Sequence, residues 1–234
     1  HTFTDANVLD QTNGLRANSL EIYAYGGSGN TIDLVSTPVA GSAFWLYTST
    51  GNIRANLTGP SSLSIQTNGS FDVDFTTANL SSLQIYGNAA GIGASTLTST
   101  HASPSQTFSF GTSAGDLLVS SSSASPLNLW LEVSGLSGAN VGLSSVNTGG
   151  GLFYLNASDG GIHASNLAAA STELYASGDV VLGNVSTTGA SASGSPLSVT
   201  SYSGSILNPT HAAASVGTAS VTLTSPLFTK SLTV

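Results

Sequence analysis

The stretch TSTGNI, residues 48–53, places a polar turn around one glycine directly before an aliphatic residue. The same turn returns as TNGSF (67–71), SAGDL (113–117), SDGGI (158–162), ASGDV (176–180) and YSGSI (202–206). Nine glycines mark this turn along the chain, at Gly29, Gly51, Gly69, Gly91, Gly115, Gly138, Gly160, Gly178 and Gly204. Their spacing averages about 22 residues, and such a period of short strands and small turn residues is typical of a solenoid.

The residues around each turn predict strands. An apolar-x-apolar pair precedes most turns, as in Phe44/Leu46 and Leu63/Ile65, and one apolar residue such as Ile53 follows. Alternation puts both members of a pair on one face of a strand, whereas no stretch has the 3.6-residue period of a helix. The glycine is expected to supply a positive φ at the corner.

The sequence therefore predicts an all-β protein, a single β-solenoid of about nine to ten stacked coils of about 22 residues. Residues 19–207 form the solenoid in this interpretation. Residues 1–18 are an N-terminal arm or cap, and residues 208–234 are a C-terminal coil or pairing strand.

Composition limits the function. The chain has 3 Lys+Arg against 11 Asp+Glu, a net charge of −8, and only 6% charged residues. Three cations are too few for a nucleic-acid-binding surface, and no run of 18 apolar residues predicts a membrane span. The absence of cysteine excludes disulfides, thiol catalysis and zinc–thiolate sites.

The turns TGNI, NGSF, AGDL, DGGI, SGDV and SGSI, with their preceding apolar pairs, resemble those of adhesin-type β-solenoids. The resemblance covers about residues 19–207, and the chain departs from it in its low charge and its serine runs, such as SSSSAS at 120–125. It implies a secreted, extracellular or cell-surface protein and transfers no catalytic residue. Because the chain begins at His1 instead of Met, we also expect that a preceding segment was removed, either as a secretory leader or by truncation.

Few residues suggest chemistry. Asp72 and Asp74 should point outward together, where they suit calcium binding, glycosidase acid/base chemistry or simply a solvated face. The stretch GGSGNTID (26–33) resembles one calcium-binding nonapeptide repeat, but Asn30 replaces the expected aspartate. An N-terminal His1 could chelate copper only with a second histidine. Because the acids are scattered and the bases nearly absent, we expect no enzyme activity, no metal site and no cofactor.

Five Asn-x-Ser/Thr sequons are glycosylation candidates, namely Asn56, Asn68, Asn79, Asn156 and Asn184. Asn56, Asn79 and Asn184 each precede an inward apolar residue, so their side chains should point outward.

The leading hypothesis is a non-enzymatic extracellular structural or adhesive protein that binds copies of itself. The C-terminal segment suits this role because it is apolar and alternating, through Val221, Leu223, Leu227, Leu232 and Val234. The alternative is a carbohydrate-binding or carbohydrate-active β-helix whose partner is a cell-surface polysaccharide. Its sugar-stacking candidates are Tyr23, Tyr25, Trp45, Tyr47 and Trp130.

Overall fold

The computed structural model describes residues 15–16, 18–25, 30–77, 80–100, 106–188, 196–207, 215–216 and 221–224. The described residues form 21 strands and one short helix. The first ten strands and the helix are β1 (Leu15–Arg16), β2 (Ser19–Ala24), β3 (Ile32–Ala40), β4 (Ala43–Thr48), β5 (Ile53–Thr58), β6 (Ser62–Thr67), β7 (Phe71–Thr76), β8 (Ser82–Asn88), α1 (Ala89–Gly93), β9 (Thr96–Ser99) and β10 (Gln106–Ser113). The others are β11 (Asp116–Ser123), β12 (Asn128–Ser134), β13 (Asn140–Asn147), β14 (Leu152–Ala157), β15 (Gly161–Ala169), β16 (Ser171–Ala176), β17 (Val180–Thr187), β18 (Leu197–Ser201), β19 (Ile206–Leu207), β20 (Ser215–Val216) and β21 (Val221–Thr224).

The strands form three sheets. A nine-stranded sheet, the long sheet, has the order β2-β4-β6-β8-β12-β14-β16-β18-β21. The first short sheet has the order β1-β3-β5-β7-β9, and the second has β10-β11-β13-β15-β17-β19 with β20 also on β17. All described pairings are parallel except that of β10 with β11. Successive coils therefore stack in parallel, and the predicted β-solenoid is confirmed.

The core consists of columns of identical positions in successive coils. One column of the long sheet has at most 1% exposure at seven successive positions, Leu46, Ile65, Ile85, Leu131, Leu155, Leu174 and Val199. Fully burying such a side chain stabilises the fold by about 1.5–3 kcal/mol. The apolar-x-apolar pairs thus fix which face of each strand points inward.

The solenoid has about eight turns of about 21 residues, fewer than the nine to ten predicted. The difference arises between β8 and β12, where Ser82 pairs with Asn128, 46 residues further on. This single coil contains α1, β9 and the antiparallel hairpin β10–β11. Phe108 and Phe110 of β10, an apolar-x-apolar pair that precedes Gly115, pack against Phe75 and Phe71 of β7.

The corner glycines mostly have a different role from the one predicted. Of the nine, Gly29 lies outside the described residues, and only Gly115 (φ +95°) and Gly138 (φ +88°) have positive φ. The positive φ expected at Gly178 is wrong, and it is equally absent at Gly51, Gly69, Gly91, Gly160 and Gly204. Most of these glycines are needed because neighbouring coils approach closely: a Cβ on Gly69 would lie 2.5 Å from the Gly51 carbonyl oxygen.

Threonines and Asx residues of the turn bind one coil to the next. Thr48 Oγ1 donates to the Asn30 carbonyl (3.0 Å) and accepts the Gly51 N–H (3.1 Å). The residue after the glycine accepts a backbone N–H of the following coil in three turns, Asn52 from Ser70 (3.1 Å), Asp116 from Asn140 (2.8 Å) and Asp179 from Ser205 (2.7 Å). The repeated turn of residues 48–53 is therefore an inter-coil connection.

The ends of the chain are described only in part. β1 pairs with β3, and the C-terminal strands β20 and β21 pair with β17 and β18. Val221 and Leu223 lie on β21, in the position of a further coil, whereas Leu227, Leu232 and Val234 lie outside the described residues. Within the described part of the chain, no helix is long and apolar enough to cross a membrane.

Candidate functional site

The outer surface of the long sheet, which we call the aromatic face, collects one class of side chain. The chain has seven tyrosines and two tryptophans, and all nine lie at outward positions on this sheet or directly after one of its strands. They are Tyr23, Tyr25, Trp45, Tyr47, Tyr86, Trp130, Tyr154, Tyr175 and Tyr202.

The register arranges the outward residues in two rows along the stack. The first row is Glu21, Trp45, Ser64, Gln84, Trp130, Tyr154, Glu173 and Ser198. The second row is Tyr23, Tyr47, Gln66, Tyr86, Glu132, Asn156, Tyr175 and Thr200. Because parallel strands are about 4.8 Å apart, each row presents one side chain per coil at that spacing.

Four rings cluster at the N-terminal end of this face. Tyr23, Tyr25, Trp45 and Tyr47 have ring centroids 5.4–6.2 Å apart. Trp45 is 42% exposed and Tyr25 is 68% exposed, so ring surface remains available to solvent.

A second aromatic cluster lies on β12, β14 and β16. Trp130 and Tyr154 are stacked, and Tyr154 lies 5.5 Å from Tyr175 between ring centroids. Burial, with the negative charge of Glu132 as the next cause, raises the pKa of Tyr154 to about 12. Burial likewise raises the pKa of Tyr175, to which the neighbouring Glu173 also contributes.

Carboxylates and amides alternate with the rings. The three glutamates of the chain, Glu21, Glu132 and Glu173, all lie on this face. Trp130 Nε1 donates to Glu132 Oε1 at 3.0 Å, and the Tyr23 hydroxyl donates to Glu21 Oε2 at 3.2 Å. The only arginines, Arg16 and Arg54, lie on the first short sheet, so the described residues place no Lys or Arg on the aromatic face.

A cleft of about 280 Å³ runs along the second row. We call it the Glu132 cleft, and its defining residues are Tyr47, Gln66, Asn68, Tyr86, Glu132 and Asn156. Five of these residues are consecutive members of the row, so the cleft extends across five coils, about 19 Å at the usual strand spacing. It combines two rings, one carboxylate and three amides in a single groove.

The sequons lie at several places on the solenoid. Asn68 is exposed at a corner and Asn156 is half-buried on the aromatic face, and both line the Glu132 cleft. Asn56 donates to the Val35 carbonyl (3.1 Å) and Asn184 to Asn166 Oδ1 (3.0 Å). Asn79 lies outside the described residues. Glycosylation remains a prediction at all five.

The other candidates do not come together. Asp72 and Asp74 are exposed and alternate with buried Phe71, Val73 and Phe75, as predicted, and Asp72 accepts a hydrogen bond from Thr96. His1 lies outside the described residues, as do residues 26–29 of the glycine-rich stretch. Over the ranges that the structure describes, no three His, Asp or Glu side chains are grouped as a metal would require.

Sequence reasoning found five of the nine aromatic residues and missed Tyr86, Tyr154, Tyr175 and Tyr202. Tyr86, Tyr154 and Tyr175 each lie one position from an inward apolar residue, as Tyr154 does between Phe153 and Leu155, whereas Tyr202 follows the buried Ser201. Aligning the repeats on the apolar pairs would have placed Tyr86, Tyr154 and Tyr175 in the two rows.

No protein-family model, no curated protein and no solved structure matches the chain.

Proposed function

We propose that this protein is a non-enzymatic, extracellular, adhesive β-solenoid that binds polysaccharide through its aromatic face. The supporting observation is that every Tyr and Trp of the chain lies at an outward position of the long sheet or directly after one of its strands. A random surface distribution would place rings on the short sheets as well. The adhesive role and surface location also agree with the resemblance of the repeat to adhesin-type solenoids.

The chemistry of the face suits sugars. A pyranose ring has an apolar face that packs on an aromatic ring, while tyrosine and tryptophan also offer a polar hydrogen-bonding atom. Carboxylate and amide oxygens accept hydrogen bonds from sugar hydroxyls, and amide NH₂ groups donate to sugar oxygens. The rings are held on a rigid sheet, so little conformational entropy is lost on binding.

A binding role without turnover is supported by three aspartates whose carboxylates are engaged between coils. Asp116 and Asp179 accept backbone N–H groups of the next coil, and Asp159 accepts those of Leu136 (3.0 Å) and Ser137 (3.2 Å). These carboxylates hold coils together. We therefore expect no hydrolase, lyase or oxidase turnover on a polysaccharide panel, and turnover that Asp72→Ala or Asp74→Ala removes would contradict this.

The test is sedimentation of the protein with insoluble polysaccharides, followed by a glycan array. The double variant Trp45→Ala/Tyr47→Ala should weaken binding at least tenfold, about 1.4 kcal/mol. Leu118→Ala is the matched control, because Leu118 is also exposed (39%) but lies on the second short sheet. Absence of binding to every polysaccharide, or equal losses in both variants, would overturn the proposal.

Self-association is a second candidate function, supported by β21. Among the described residues, β21 pairs with β18 on one side and is the last strand of the long sheet. Such an edge presents backbone N–H and C=O groups to another chain. Because a head-to-tail contact need not close, it would give rods or filaments.

A further inference from the structure

The Glu132 cleft differs from the rest of the aromatic face because its polar groups surround one carboxylate. Glu132 pairs in register with Tyr86 on one side and Asn156 on the other, and all three line the groove. One carboxylate oxygen, Oε1, is held at 3.0 Å by the Trp130 indole N–H. This bond orients the Glu132 side chain, and within the described part of the chain no hydrogen bond is donated to Oε2, which can therefore accept one from a ligand.

The charge of the face favours a cationic ligand. Glu21, Glu132 and Glu173 carry three negative charges, and no Lys or Arg among the described residues lies beside them. The pKa values of Tyr86 and Tyr154 are both raised, mainly by burial and secondly by the negative charge of Glu132. A polyanionic glycan would meet repulsion here, whereas an ammonium group would be attracted to the carboxylate and to the ring faces.

We propose that the Glu132 cleft binds an amine-bearing sugar, a protonated hexosamine unit of a polysaccharide, with its ammonium group on Glu132. This inference rests on the proposed function and names its ligand class. The rings of Tyr47 and Tyr86 lie in the same groove to pack on the sugar and attract the cation. Gln66, Asn68 and Asn156 supply the amide groups for its hydroxyls.

The cleft also connects to two of the sequons. Because Asn68 and Asn156 line it, a glycan attached to either residue would occupy the groove. Glycosylation there and hexosamine binding are therefore mutually exclusive, and the binding experiment uses protein without N-glycans.

The experiment compares three soluble oligosaccharides by titration calorimetry: a glucosamine oligomer, its N-acetylated counterpart and an oligomer of uronic acid. The native protein should bind the glucosamine oligomer at least tenfold more tightly than the N-acetylated one, and the uronic acid oligomer most weakly. The preference should shrink with added salt, because the charged pair is screened.

The deciding variant is Glu132→Gln, which keeps an oxygen for Trp130 Nε1 and removes only the charge. It should abolish the preference for the amine and leave binding of the N-acetylated oligomer within twofold. Glu173→Gln, which removes one charge from the same face but does not line the cleft, should keep the preference. Equal effects of the two variants, or equal affinity of native protein for amine and N-acetyl oligomers, would overturn the inference while leaving polysaccharide binding intact. Failure of all three oligomers and of insoluble polysaccharides would overturn the proposed function as well.

Discussion

Trp130 and Tyr154 stack face to face on neighbouring coils, with ring centroids 3.6 Å apart and planes 10° from parallel. The register of β12 and β14 pairs these two residues directly, so the ring contact depends on the alignment of adjacent coils. It also buries part of Tyr154, whose pKa rises to about 12 because of that burial and of the nearby Glu132. The raised pKa of Tyr154 therefore provides a way to test this stack.

The first prediction is that Trp130→Ala lowers the pKa of Tyr154 toward the ordinary value of about 10. The substitution removes the ring that covers Tyr154 and exposes the phenol to water. Titration of tyrosine absorbance with alkali measures it, since the last phenol to ionise should do so earlier in the variant. Trp45→Ala, whose ring contact is with Tyr23, is the control and should leave that phenol unchanged.

The raised pKa of Tyr154 also predicts the direction in which stability changes with pH. The pKa of Tyr154 is higher in the folded chain, about 12, than in the unfolded chain, about 10. Its contribution to stability is complete below pH 10 and is lost as the pH rises from about 10 to about 12. The free energy of unfolding, measured with urea, should decline across this pH range, and the decline should be smaller in Trp130→Ala. A free energy of unfolding that does not change with pH in the native protein would contradict the assignment.

The second prediction concerns the Asx connections between coils. Asp179→Ala should reduce the free energy of unfolding by about 1–3 kcal/mol, because the Ser205 N–H loses a charged acceptor. Asp74→Ala removes the same charge from an exposed position on β7 and should change stability by less than about 0.5 kcal/mol. Similar losses in both variants, measured by urea unfolding, would show that net charge and not the connection is responsible.

The third prediction distinguishes a glycine required for positive φ from a glycine required for space, by comparing the stability of the Asn and Ala variants at each site. At Gly138, where no atom would lie within 4 Å of a Cβ and φ is +88°, Asn should be tolerated better than Ala because Asn adopts this conformation more readily. At Gly69 the limit is space, since a Cβ would lie 2.5 Å from the Gly51 oxygen, so Asn should be at least as harmful as Ala. Thermal unfolding of the four variants measures both orders, and the same order at both sites would refute the distinction.

The fourth prediction compares two buried threonines. Thr172 is fully buried between Phe153 and Leu197 in register, and its hydroxyl has no hydrogen-bond partner among the described residues. Thr172→Val should therefore stabilise the protein by about 1 kcal/mol. Thr48→Val should destabilise it by about 1–3 kcal/mol, because two hydrogen bonds to Asn30 and Gly51 are lost. Destabilisation by both substitutions would contradict this prediction, because it would show that the Thr172 hydroxyl makes a stabilising polar contact.

The strand pattern was predictable because burial leaves a clear period in the sequence. Residues such as Leu63 and Ile65 have only one way to reach the core, and both are fully buried. The hairpin was not predictable in the same way. SAGDL reads like the other turns, but Ala114 and Gly115 both have positive φ and connect antiparallel strands, with Ser113 paired to Asp116.

The aromatic face was only partly predictable, because its rows depend on register across that irregular coil. Trp45 and Trp130 were recognisable as outward residues from alternation alone. Their place in one row depends on the pairing of Gln84 with Trp130, 46 residues apart, which no local period encodes. The close approach of the corner backbones was likewise not predictable. The sequence shows a glycine whether the position requires space or requires positive φ.

The last prediction tests whether β21 is an assembly edge. In a strand, the N–H and C=O groups of successive residues point alternately to the two sides, so one pair of alternate residues in Val221–Thr224 faces β18 and the other faces away. Proline removes an N–H and is tolerated only at an edge. The double variants Val221→Pro/Leu223→Pro and Thr222→Pro/Thr224→Pro should therefore behave oppositely.

One of these variants should lose stability because it breaks pairing with β18, and the other should keep stability but lose association. Light scattering over a concentration series measures association, electron microscopy shows whether rods form, and urea unfolding reports stability. The native protein should form rods whose length increases with concentration, since each added subunit exposes the same edge again. A native protein that is monodisperse at high concentration, or two variants that both associate normally, would show that β21 is simply the final coil of a solitary solenoid.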